Sequence, residues 1–93
     1  MAHTFDDLVE KQRDADQAQG EVERLRGEYG PPTARQWNER QTEVYEQAWR
    51  DWHGLAADVQ GAITKYAKDE GQARNDVEAD VKKAARHPEL ASA

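Results

Sequence analysis

The chain of 93 residues contains no cysteine. Disulfides and thiolate metal sites are therefore excluded, and with them one common way of stabilising a small domain. Serine is almost missing as well, with Ser92 the only one. A covalent nucleophile would have to be a threonine. Thr4 and Thr33 are better read as helix caps, and Thr42 and Thr64 have no neighbouring histidine to activate them. No apolar run is long enough to cross a bilayer. The stretch from Met1 to Glu10 carries acids where a signal peptide needs bases and an apolar core. These absences lead us to expect a cytoplasmic protein. Bulky aliphatic residues are scarce too: Leu, Ile, Val and Phe number only 12, whereas 15 of the apolar residues are alanine. That content borders on what a disordered chain shows.

What is there argues for a fold. Tyr45, Trp49, Trp52, Ala56, Val59, Ile63, Tyr66, Ala73, Val77, Val81 and Ala84 recur mostly at steps of three and four. That spacing places them on one face of a helix. Three Trp and three Tyr each bring a large area to bury, and alanine favours helix without adding bulk. No alternating β-branched run and no Asn-Gly or Asp-Gly hairpin turn occurs. The expected fold is all-α and single-domain: an antiparallel helical hairpin with a long second helix and a short third one. The domain is expected to span residues 1–86, with 87–93 a flexible tail.

Punctuation residues set the expected boundaries. Thr4 followed by Asp6 and Asp7 reads as a helix start, since threonine can cap and acids suit the positive helix end. Phe5, Leu8, Gln12, Ala15, Ala18, Val22, Leu25 and Tyr29 then give a helix over about 5–28, stopped by Gly27, Gly30 and Pro31-Pro32. Thr33-Ala34-Arg35-Gln36 has the form of a capping box and predicts a second helix over 34–70. Gly71 offers a stop, and Asn75-Asp76-Val77-Glu78 a new start, for a third helix over 76–86 ended by His87-Pro88. A short connection makes helices 1 and 2 antiparallel neighbours whose paired residue numbers sum to about 63. Leu25 would then meet Trp37, Ala18 would meet Tyr45, Leu8 would meet Leu55, and Phe5 would meet Val59.

In that register Ile63, Tyr66, Val77 and Val81 extend beyond helix 1. Such a row is rarely left in water. It would be covered either by a third helix folding back at Gly71 or by another chain. Ile63, Tyr66, Val77 and Val81 are accordingly the candidate partner-binding residues. The expected partner is a second copy or another helical protein.

Little points to catalysis, and a non-enzymatic interaction or structural protein is expected, with no cofactor. His3, His53 and His87 form no His-x-x-x-His or Glu-x-x-His pair, so a helical metal site lacks its ligands. The carboxylate pairs Glu39–Glu43 and Glu43–Glu46 read as a solvated face. The glycines are isolated, so no phosphate loop exists. The net charge of −6, with both signs interspersed, disfavours nucleic acid and membrane surfaces. One alternative is a small DNA-binding regulator using residues 63–86. There Ala67-x-x-x-Gly71 would form a helix-turn-helix corner, and Arg74, Lys82, Lys83 and Arg86 would touch phosphates. A second alternative comes from Trp52-His53-Gly54 and the segment Tyr66-Ala67-Lys68-Asp69-Glu70. A Trp-x-Gly and a Tyr-x-x-x-Asp/Glu in a small helical chain resemble the WXG100 proteins of type VII secretion. The resemblance implies an exported helical hairpin with Trp-x-Gly at its turn. Here the two motifs lie close together, and the clearest turn is Gly30-Pro31-Pro32.

Overall fold

The computed structural model describes residues 4–31 and 36–87. It contains three helices: α1 (Phe5–Tyr29), α2 (Glu39–Glu70) and α3 (Arg74–Arg86). The all-α hairpin with a long second helix and a short third one is therefore the observed architecture. Helices α1 and α2 pack along each other, and α3 folds back onto both.

Helix α1 begins as its caps require. The Thr4 hydroxyl accepts from the Asp7 backbone N–H at 3.1 Å, and the Asp7 carboxylate accepts from the Thr4 N–H at 3.0 Å. This reciprocal pair satisfies two donors that the first turn leaves without partners. The helix stops at Gly30, whose φ of 75° is open to glycine and costly for other residues.

Helix α2 starts later than residues 33–36 suggest. Its cap is Asn38, which exchanges hydrogen bonds with Gln41 at 2.8 and 3.0 Å. Gln36 precedes the helix, and Thr33 lies outside the described residues. Two capping patterns follow one another in this stretch, and the second one starts the helix. The consequence is a longer connection and a different register. Phe5 packs on Tyr66 with ring centroids 6.4 Å apart, Lys11 pairs with Asp58 at 2.7 Å, and Arg26 donates to the Tyr45 hydroxyl at 2.8 Å. These pairs sum to 69–71, so α2 slides about two turns relative to the expected pairing. Phe5 lies against Tyr66 rather than at the level of Val59, and Tyr45 meets Arg26 rather than Ala18.

The break at Gly71 forms as its position predicts. Gly71 takes the left-handed conformation, with φ 63° and ψ 34°. Its N–H donates to the Lys68 carbonyl at 3.3 Å, and the Gln72 N–H donates to Ala67 at 2.9 Å. This pattern closes the last turn by satisfying carbonyls that the helix leaves over. Helix α3 then starts at Arg74, two residues earlier than expected. Its cap is Ala73, which offers no side-chain hydrogen bond. Asn75 and Asp76 therefore lie inside the helix.

The core sits where three helices meet. Leu8 and Ala15 of α1, Val59, Ala62, Ile63 and Ala67 of α2, and Val77 and Val81 of α3 form one buried cluster, with Phe5 and Tyr66 packed against it. At 1.5 Å per residue, the 13 residues of α3 cover about 20 Å of the roughly 48 Å of α2. The rest of α2 has only α1 beside it.

Candidate interaction surface

The first half of α2 presents three of the seven aromatic residues of the chain, Tyr45, Trp49 and Trp52. Gln60, Thr64, Ile63 and Ala67 mark the strip of α2 that α3 occupies. Arg74 of α3 donates to Thr64 at 2.9 Å and to the Gln60 side chain, while Ile63 and Ala67 share the core with Val77 and Val81. Stepping back from this strip by threes and fours leads through Ala56, His53, Trp52 and Trp49 to Tyr45. The seat of α3 therefore continues along α2 as a row that α3 does not reach and that is only partly covered. Trp49 is 43 % exposed, and Val44 and Leu55 on the same half of α2 are also exposed. Tyr45, Trp52 and Ala56 are half-buried.

The rings of this half are ordered by contacts with each other. The Trp49 and His53 ring centres are 3.8 Å apart, and the Trp52 ring centre lies 5.1 Å from that of His53. Near the turn, Trp37 packs edge-on against Tyr29 at 5.5 Å and Tyr45 at 4.9 Å, and its indole N–H donates to the Gly30 carbonyl at 2.9 Å. Arg26 sits 5.9 Å from the centre of the Tyr45 ring while hydrogen-bonding its hydroxyl, and that bond raises the Arg26 pKa. Two clefts result. One is lined by Tyr45, Glu46, Trp49 and Arg50, and the other by Glu23, Arg26, Gly27, Pro31, Trp37 and Tyr45. Each pairs an aromatic floor with one acid and one base.

The residues singled out from sequence as partner-binding lie elsewhere. Ile63, Val77 and Val81 are buried in the three-helix core, and Tyr66 is packed against it. The fold-back of α3 covers the row that the sequence leaves open, so these four side chains are not a free surface. An apolar face at helical spacing looks the same whether one neighbour covers it or two, so spacing alone does not separate Tyr45, Trp49 and Trp52 from Val59 and Ile63.

The cations of the DNA-binding alternative divide. Arg74 and Lys82 both pair with Glu78, at 2.6 and 2.8 Å, and the two hydrogen bonds lower the Glu78 pKa, that from Lys82 the more. Lys83 and Arg86 are exposed. Val77, between these cations on α3, is part of the core. Trp52-His53-Gly54 lies in the middle of α2, not at a turn, so the WXG100 arrangement is not the one this chain adopts. Glu39, Glu43 and Glu46 are exposed along α2. Among the described residues no group of three or more His, Asp or Glu side chains could hold a metal, and no helix is long and apolar enough to cross a membrane. Compared with known proteins, the chain matches no family model, no curated protein and no solved structure.

Proposed function

We propose that this chain is a non-enzymatic interaction protein that self-associates through the aromatic face on the first half of α2. One observation carries the reading. Trp49, the largest kind of side chain, stands 43 % exposed in a row whose other end is covered by α3. An apolar row of this kind on a small protein marks a surface for another helix. Tryptophan and tyrosine are also the residues that most often anchor interfaces.

A second copy suits this face in size. Residues 39–56 run for about 27 Å and form, with α1, a surface two helices wide. That is the order of the ~800 Å² per partner that a standard dimer buries. The shape agrees. The radius of gyration is 16.3 Å, against about 12 Å for a compact domain of this length. Pairing along the long axis would give a more compact particle.

Light scattering after gel filtration tests the proposal. The wild type is expected to have the mass of a dimer at tens of micromolar, and Trp49→Asp the mass of a monomer with unchanged helicity. A wild-type monomer at about 100 µM would refute it.

A further inference from the structure

The charges beside Trp49 fix how two copies meet. Resting on the self-association proposed above, we infer that two α2 helices pair antiparallel across a two-fold axis near Ala48, with Glu46 of each copy facing Arg50 of the other.

The first support is an ion pair that the monomer does not make. Acid–base pairs four residues apart close elsewhere in this chain: Arg24 with Glu28 at 2.7 Å, Arg74 with Glu78 at 2.6 Å, and Lys82 with Glu78 at 2.8 Å. Glu46 and Arg50 have this spacing, and with the acid nearer the N-terminus, the better order for a helix. They do not pair. Arg50 instead donates to the Gln47 amide oxygen at 3.3 Å, and among the described residues Glu46 forms no ion pair. Both side chains flank the cleft that Tyr45 and Trp49 floor.

The second support is symmetry. A two-fold dimer brings one patch against its own copy. If the α2 helices ran parallel, each residue would face itself. Glu46 would oppose Glu46 and Arg50 would oppose Arg50, and like charges held together at an interface are costly. Antiparallel pairing about Ala48 turns the same four charges into two attractive pairs, one on each side of the axis. Trp49 and its copy then lie beside the axis, where burial is deepest and anchor residues act most strongly. The chain as a whole carries −6 and repels its copy at long range. Glu46 and Arg50 cancel each other, as do Glu23 and Arg26 in the neighbouring cleft, so neither cleft adds to that repulsion.

Charge reversal with sedimentation equilibrium tests the arrangement. Both side chains are exposed, so the variants are expected to keep the fold, which circular dichroism checks. Glu46→Arg alone and Arg50→Glu alone should each weaken self-association at least about tenfold, because each creates two like-charge contacts. The double exchange, Glu46→Arg with Arg50→Glu, should return it to within about threefold of wild type. If both single reversals leave association unchanged while Trp49→Asp abolishes it, the antiparallel pairing is wrong and the surface is right. Failure of the double exchange to recover association also overturns the pairing. A wild type that stays monomeric overturns the self-association itself.

Discussion

The two ends of this molecule bury their apolar residues in different ways. Around Ile63 three helices converge, and side chains no larger than leucine and isoleucine disappear completely: Leu8, Ile63 and Val81 have no exposed area. Around Trp49 only α1 and α2 run together, and far larger side chains stay partly in water. Two cylinders touch along a line and leave a groove on either side, and a third is needed to fill one. Val22 and Leu25, on the α1–α2 seam of this end, are buried as well, so what stays in water here is what lies off that seam. The three-helix end closes over its apolar residues, and the two-helix end leaves a groove open.

Substitutions at the centre of each end should separate these roles. Ile63→Ala is expected to cost about 2–5 kcal/mol of folding stability, the usual loss for a cavity in a dry core. Trp49→Ala, measured by urea unfolding at nanomolar concentration where copies are apart, should cost under about 0.5 kcal/mol. Equal losses at the two positions would erase the contrast. The glycines sharpen it at the level of backbone. Gly71→Ala forces a side chain into the left-handed conformation at φ 63° and should cost about 1–2 kcal/mol of thermal stability. Gly61→Ala should do the opposite and stabilise α2 by about 0.5–1 kcal/mol. Gly61 lies inside the helix, and a Cβ there would have nothing within 4 Å.

Acid should act on the three-helix end first. Glu78 holds Lys82 and Arg74, and Arg74 in turn reaches α2, so its carboxyl lies below its ordinary value of 4.5. A carboxyl lowered by folding contributes stability above its unfolded pKa and loses that contribution as pH falls through the folded value. Between pH 6 and 3, Glu78→Gln should lose less melting temperature than the wild type. Parallel melting curves would refute this. A modest effect is expected inside α1. Gln12 is buried, 6 % exposed; its amide N–H donates to Asp16 at 2.9 Å, and its oxygen has no partner. Gln12→Met should stabilise by about 1 kcal/mol by removing the unsatisfied acceptor. A loss on thermal melting would show that the amide is satisfied after all.

Features set by a few adjacent residues were legible in the sequence. Thr4 with Asp7, Gly30 and Gly71 each act within one turn, and the helix ends they predict are those observed. The start of α2 was misread because Thr33-x-x-Gln36 and Asn38-x-x-Gln41 carry the same local signal, and only the surrounding packing selects between them. That small difference spread. A connection four residues longer moved the register by two turns, placed Tyr66 beside Phe5, and let α3 return over Ile63. The candidate surface was hidden for the same reason. Tyr45, Trp49 and Trp52 share a periodic face with Val59 and Ile63, and periodicity names the face without counting how many neighbours cover it.

The joint at Gly71 also has a dynamic consequence. Only the three residues from Gly71 to Ala73 link α3 covalently to the hairpin, so α3 would leave as one unit once the Arg74 bonds to Thr64 and Gln60 and the packing of Val77 and Val81 are broken. Amides near Val77 and Val81 should exchange through that partial opening, ahead of those near Leu8. A helix that left and returned would uncover the greasy floor under it each time, and faster exchange near Val77 than near Leu8 would mark this joint as the first place to open.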